Sequence, residues 1–457
     1  MSGMGTAHIA GTVNLQMKGI YIEIIKQFCK GDTKNLIQAT LNLEKKFLEG
    51  VVLKKSLTLY RDVLFLTAIA VPIGAVIGLV DALFGRVLLW ITNTRMAYPH
   101  WFIPFLGVVG TVIVFCYKKF GGRSSKGMAL IFEVGHGMSD SIPVRLIPLT
   151  IMGTWLTHLF GGSAGREGVA IQIGGTIAHE FGRHLPIRNG RKLLLITGMA
   201  AGFAGLFRTP IAATFFAIEV LTVGVLEQEA ILPALTASFT ASYVSGLLKL
   251  EKFQFLLTDK IMFSWAFVSK IIVIGILFGA MGGLFSLCLH RTKTMLAKWI
   301  ENPYLRILLV GAVISCLSLL CWNGRYSGLG TNLISMSFSE GIFPWDFALK
   351  LVFTVFTLAV GFQGGEVTPV FSIGASLGVV LAPLLGLPTL FAAALGYAAV
   401  FGSATNTLIA PMMIGAEIFG FEYLPYFVVV CTIAYVCNGN LSIYPLQKKN
   451  NRIAAES

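Results

Sequence analysis

The stretch Gly165-Arg166-Glu167-Gly168-Val169, followed by Ala170-Ile171-Gln172-Ile173-Gly174-Gly175, decides how this chain is read. A carboxylate is costly in hydrocarbon and rarely stands in a span without a function. Here it lies between glycines where a helix is expected to begin. The first N–H groups of a helix have no intrahelical partner and attract negative charge. The stretch therefore reads as an anion site in which Glu167 can itself act as the anion. The plainer reading is a structural carboxylate capping a helix.

The surroundings are membrane-apolar. Of 457 residues, 55% are hydrophobic and 12% charged, and the mean hydropathy is +0.77, which excludes an ordinary soluble domain. Apolar runs recur at 63–77, 102–116, 271–289, 307–320, 377–401 and 426–436. Runs of about 18 apolar residues read as spans, but several here are shorter or cut by Gly and Pro. Broken spans suit transporters whose bare backbone lines a cavity rather than lipid. Most of the 50 glycines are expected to serve close helix packing. The clusters at 161–168 and 361–365 are too dense and polar for that alone.

The net charge of +13 does not point to nucleic acid, because no exposed basic domain is present. The excess flanks the apolar runs, in clusters at 45–61, 118–126, 183–192 (including Arg188), 291–298 and 448–452. Positive-inside charge of this kind predicts cytoplasmic termini. Six of the seven cysteines lie in or beside apolar runs without metal-ligand spacing, so they are expected to pack rather than pair or ligate. No metal or cofactor is called for. The first 17 residues lack the apolar core of a signal peptide, and residues 1–58 are expected to form a cytoplasmic, partly amphipathic helical segment.

Two stretches align without gaps at a shift of 198 positions, from Gly198 to Glu219 and from Gly396 to Glu417, with eight of 22 positions identical. Shared alanines follow from apolar bias, but the paired terminal glutamates do not. Upstream, Gly364-Gly365-Glu366-Val367-Thr368-Pro369 is a counterpart of the Glu167 motif. The chain thus reads as an all-α membrane protein of two related halves, 59–250 and 251–440, which the family resemblance given below implies are inverted-topology repeats. A final short helix and a basic cytoplasmic tail are expected over 441–457. Two Gly-rich helix starts, one per repeat, are expected to meet at the midplane.

These residues resemble the CLC family of anion channels and transporters. Gly165-Arg166-Glu167-Gly168 with Gln172-Ile173-Gly174-Gly175 is similar to that family's gating-glutamate motif. Gly365–Pro369 and a late tyrosine in Ser442-Ile443-Tyr444-Pro445 follow in order and spacing. The resemblance covers about 60–448 and implies a compact, prokaryote-like homodimer in a bacterial-type cell membrane. Three loops depart together from chloride-handling members. Val169 replaces a proline. Met128 in Lys126-Gly127-Met128-Ala129 replaces an anion-binding serine. Gly365-Glu366-Val367-Thr368-Pro369 replaces Gly-x-Phe-x-Pro. This combination resembles the fluoride/proton antiporter branch.

The resemblance implies that Glu167 gates and couples protons, occupying an anion site when ionised and leaving when protonated or displaced. Glu366 becomes the second coupling carboxylate, because Val220 stands where chloride exchangers place an inner proton glutamate. A helix cap paired with a cation is the plainer reading of Glu366. A thioether is a poor anion ligand, so Met128 would act by removing a hydroxyl that suits chloride, or would simply fill the core. Gly168, Val169 and Val367 would offer backbone N–H groups and a dry wall. Thr368 would donate toward the anion or bond its own helix. Tyr444 would donate to the anion from the cytoplasmic side, or anchor the interface. Arg166 more often pairs with a carboxylate or holds loop carbonyls than touches the ion. Glu219 and Glu417 suggest a shared structural role.

Fluoride export driven by proton entry is the leading expectation, and a chloride or mixed-anion CLC transporter or channel is the second. An intramembrane enzyme is disfavoured, since no HExxH or paired span aspartates occur. The expected partners are fluoride, protons and the bilayer.

Overall fold

The computed structural model describes residues 33–449 except 184, 186, 188 and 259–263, and of 33–59 the backbone alone. Arg188, residues 1–32 and the tail from 450 onward lie outside the described residues. The chain divides into two units, 1–65 and 66–457. The described backbone of the first is helical; the second holds the fold.

Apart from the four-residue helix Pro99–Phe102, the described α-helices form two octets. The first comprises α1 (Thr33–Ala97), α2 (Leu106–Cys116), α3 (Met128–Gly135), α4 (Leu146–Leu159), α5 (Glu167–Gly182), α6 (Gly190–Phe207), α7 (Pro210–Glu219) and α8 (Ile231–Leu247). The second comprises α9 (Trp265–Trp299), α10 (Pro303–Leu320), α11 (Thr331–Ser337), α12 (Asp346–Ala359), α13 (Val367–Leu385), α14 (Thr389–Thr405), α15 (Ile409–Phe419) and α16 (Leu424–Val436). Seven described helical stretches are long and apolar enough to cross a membrane, and several shorter apolar helices accompany them. Only isolated bridges of extended backbone occur among the described residues.

Small residues set the packing in both octets alike. Within the first, Gly74 and Gly78 of α1 lie against the backbone of Ala237 and Ala241 in α8; within the second, Gly275 and Gly279 of α9 lie against Val430 and Ala434 in α16. A Cβ at Gly174 would collide with the carbonyl of Gly198, and one at Gly374 with that of Gly396. Such pairs let backbones approach closely, which is how helices associate where lipid is as apolar as the side chains. α5 and α13 are thereby held against α6 and α14, and their first turns point into the protein interior.

The repeat offset is not constant. α4 and α12 start at Leu146 and Asp346, and α5 and α13 at Glu167 and Val367, 200 positions apart. The offset is 198 for the left-handed residues that end α6 and α14, Arg208 and Asn406. The difference is absorbed between α5 and α6. At an offset of 200, Glu366 is the counterpart of Arg166, and Val367 that of Glu167.

Three expectations meet a different local structure. The boundary at 58 falls inside α1, because no glycine or proline near it stops the helix. The apolar run 377–401 is two helices, not one span. Pro383 and Gly386, which caps α13 with φ +58°, turn the chain before Pro388. Residues 441–449 form no helix. Pro445 lacks an N–H, Ile443 N–H is taken by Ala404 O and Lys448 N–H by Leu221 O. Of the six described cysteines, Cys431 is buried and Cys316 exposed, so packing accounts for the first and not the second.

Candidate functional site

The two Gly-rich helix starts meet. Gly165 N–H donates to Gly365 O at 2.5 Å and Gly365 N–H to Gly165 O at 2.8 Å. Equivalent residues bonding reciprocally in an antiparallel bridge are what a two-fold relation between repeats requires. No side chain fits at either position. A Cβ on Gly365 would lie 2.8 Å from Gly168 N, and one on Gly165 would lie 2.7 Å from Glu167 Oε2.

Glu167 is the first residue of α5 and fully buried. Its carboxylate does not stay on its own helix. Oε2 accepts from Thr368 N–H at 2.9 Å and from Arg166 N–H at 3.1 Å, and Oε1 accepts from the Thr368 hydroxyl. Thr368 lies in the first turn of α13. The carboxyl group of one repeat therefore sits at the helix start of the other, where a backbone N–H and the helix dipole favour negative charge. Thr368 can spare its hydroxyl because residue 364, four positions back, lies outside the helix and offers no helical carbonyl to receive the proton.

The other residues singled out in the sequence surround this point. Gly168, Val169 and Val367 are buried in the two first turns. Glu366 precedes α13 and is half-buried. Its Oε2 would lie 3.6 Å from a Cβ on Gly168, and Lys293 and Glu167 are the charges that act on it. It forms no ion pair within the described residues. Met128 opens α3 and is half-buried against the core. The residue before it, Gly127, faces the Gln172 side chain of α5, whose Oε1 would be 3.5 Å from an added Cβ. Met128 is not among the groups that bond Glu167.

Tyr444 is 4% exposed, which removes the interface-anchor reading. Its ring lies 5.2 Å from that of Phe132 in α3 and 6.4 Å from that of Phe216 in α7. Among the described residues its hydroxyl has no hydrogen-bond partner, and the charges that act on it are Glu366 and Glu167. A buried hydroxyl left bare costs about 1–3 kcal/mol. Arg166 is buried with its guanidinium 5.7 Å from the Phe207 ring. Its Nε and Nη1 bond neither a carboxylate nor a carbonyl.

Sequence reasoning passed over Lys350, which is fully buried in α12 and donates to the loop that precedes α5. The signal was present, since it is the single charge between Phe347 and Ala359, and a charge in an apolar span calls for an account.

Paired helical repeats of apolar helices, with two helix starts meeting and a buried carboxylate lodged between them, define an integral membrane protein. The voltage gated chloride channel family profile matches residues 109–439. A chloride/fluoride channel protein of Pseudomonas syringae pv. tomato is 34% identical over 388 residues, 83% of this chain and 86% of that protein. The H(+)/Cl(-) exchange transporter ClcA of Cronobacter sakazakii is 27% identical over 364 residues, 73% of this chain and 76% of its own. Among solved structures, a CLC-type fluoride/proton antiporter is 51% identical with a TM-score of 0.83, covering 84% of this chain and 98% of that one. A slow cyanobacterial Cl-/H+ antiporter, at 20% identity, shares the fold with a TM-score of 0.72 over 86% of this chain and 98% of its own. The chain belongs to the voltage gated chloride channel (CLC) family.

Proposed function

We propose that this protein is a fluoride/proton antiporter that exports fluoride from the cytoplasm in exchange for protons. The observation that carries the reading is the Glu167 carboxylate, held like a bound anion by the Thr368 N–H and hydroxyl at the start of α13. The likeness to a fluoride/proton antiporter at 51% identity supports it. Ionised, Glu167 fills the position. Protonated, it loses the charge that holds it there and yields to an incoming anion. One carboxylate thus links two ions by competition, with no large domain motion.

Fluoride is small and tightly hydrated, so its site must supply strong donors. Thr368 N–H and hydroxyl, the free N–H groups of the first turns at Gly168, Val169 and Val367, and the bare Tyr444 phenol are the donors at hand. Met128 places a thioether where a hydroxyl would suit chloride. Glu366, close to Gly168 and within the influence of Glu167, carries the proton between Glu167 and the cytoplasm. The protein acts as a homodimer with both termini cytoplasmic, as the basic clusters beside its spans favour.

A second reading, a chloride or mixed-anion channel on the same fold, is favoured by the name of the Pseudomonas syringae relative. Proteoliposome efflux followed with fluoride and chloride electrodes and a pH electrode separates the two. Fluoride release coupled to proton uptake is expected. Equal chloride and fluoride rates would remove the selectivity, and fluoride flux that moves no protons would make the protein a channel.

A further inference from the structure

Arg86 is exposed although it stands inside the apolar helical stretch Tyr60–Ala97. A charge that faces hydrocarbon is costly and calls for a partner. Its only hydrogen bond among the described residues runs from Nη1 to Leu248 O at 3.2 Å, and this fixes its level. α1 and α8 pack side by side in the same direction, with Gly74 against Ala237, Gly78 against Ala241 and Gly85 against Leu250. Arg86 is therefore level with the end of α8. There Lys249 turns the chain with φ +58°, and Glu251 and Lys252 follow. A span that gives way to charged residues has reached the headgroups.

An open groove of about 370 Å³ runs beside this arginine, lined by Leu79, Leu83, Val87 and Trp90 of α1 and by Leu248. Leu79, Leu83, Arg86 and Trp90 follow at helical spacing and share one face. Leu83 is 63% and Trp90 67% exposed, so no described residue covers that face. The order along it is that of a membrane lipid. From Leu79 to Arg86 lies about 10 Å of helix, an apolar wall toward the interior of the span. The guanidinium comes next, at headgroup level. Trp90 lies one turn further on, and tryptophan favours the interface.

We propose that this groove binds an anionic phospholipid, with an acyl chain along Leu79 and Leu83 and the phosphate on Arg86. The contact to Leu248 O uses one of five guanidinium N–H groups, and the rest can take a phosphate in the paired geometry that arginine favours. The exposed Lys249, next to Leu248, adds a second cation at the same level. Neither cation forms an ion pair among the described residues. The nearby acid Glu251 acts on Arg166 instead. Two cations without an acid favour an anionic headgroup over a zwitterionic one. An arginine that only capped α8 would need neither the groove nor the second cation. The proposal is independent of which ion the protein transports.

The test is native mass spectrometry of the detergent-purified protein, titrated with phosphatidylglycerol or phosphatidylcholine of the same chains. The parent is compared with Arg86→Gln and Leu83→Trp. The parent is expected to retain phosphatidylglycerol about tenfold better than phosphatidylcholine, the order for one hydrogen bond to a charged group. Arg86→Gln should bring the two lipids level. Leu83→Trp, which crowds the apolar wall without touching the contact to Leu248, should weaken both. Equal retention of the two lipids by the parent, or an unchanged preference in Arg86→Gln, would overturn the proposal. Should Arg86→Gln not be recovered folded, Leu83→Trp decides, and retention equal to the parent's would place the lipid elsewhere and overturn the groove. Two further outcomes also overturn it. Displacement of the lipid by inorganic phosphate would leave an adventitious ion only. A dimer fraction that shifts in Leu83→Trp while lipid retention does not would make the groove a face between two copies.

Discussion

Glu219 and Glu417 each cap the helix that carries the other. Glu219, at the end of α7, accepts from Leu408, Ile409 and Ala410 N–H at 3.2, 3.0 and 2.8 Å, the start of α15. Glu417, in α15, accepts from Ile211 and Ala212 N–H at 3.1 and 2.8 Å, the start of α7. The exchange crosses the repeat boundary and explains why both repeats keep a glutamate at the same place. It satisfies orphan helix-start donors inside the protein, where water cannot.

Glu219→Ala and Glu417→Ala should therefore destabilise the protein by about 2–4 kcal/mol each, since each leaves buried N–H groups without an acceptor. Glu219→Ala, which strips three donors rather than two, should cost more. Thermal unfolding in detergent measures this, and a transition unchanged from the parent would show that the caps carry no stability.

Glu167→Gln removes the charge but keeps the size. An amide cannot take up and release a proton, so proton-coupled exchange should be lost while anion flux persists or rises. Simultaneous fluoride and pH recording from proteoliposomes reads both. Coupling at the parental ratio would take Glu167 out of the mechanism.

Tyr444→Phe separates structure from binding. Among the described residues the hydroxyl bonds nothing, so its removal should not lower thermal stability and should raise it by about 1–3 kcal/mol as the bare buried group is lost. If the phenol donates to the anion, fluoride affinity should fall by about tenfold, the worth of one hydrogen bond to a charged group. A lower melting temperature with unaltered affinity would be the reverse pattern and would make Tyr444 a packing residue.

Met128→Ser restores a hydroxyl at the loop facing α5. Chloride should then compete with fluoride for transport, with the fluoride/chloride rate ratio falling about tenfold. Electrode-monitored efflux in mixed gradients gives the ratio. A ratio equal to the parent's assigns selectivity elsewhere.

Gly174→Ala and Gly374→Ala test the repeat through packing. Each methyl would strike a backbone carbonyl that cannot turn away, so both should cost about 3 kcal/mol or more and by similar amounts. Yield of folded protein on gel filtration and its unfolding temperature report this; full tolerance of either substitution would mean that the helix pair is looser than its geometry.

The local features were legible because they are written in short spans of chain. Glu167 between glycines announces a buried helix start, apolar runs announce spans, and matching glutamates at a shift of 198 announce two repeats. Where the reading missed, the cause was again local or long-range competition. The run 377–401 is apolar throughout, so periodicity cannot see that Gly386 and Pro388 reverse it. The helix expected after 440 loses to bonds with Ala404 and Leu221, far away in the chain.

By itself, the amino-acid order determined the class of the protein and announced two related halves and a buried carboxylate at a helix start, because each depends on neighbours a few residues apart. Only the tertiary structure decided what that carboxylate binds. Glu167 meets Thr368, 201 positions onward, Glu219 and Glu417 exchange helices, and Lys350 finds three acceptors in two separate loops. The physical reason is that hydrogen-bond partners and charge balance are properties of the packed interior: a sequence states which donors and carboxylates exist, and the meeting of the two repeats settles which of them face each other.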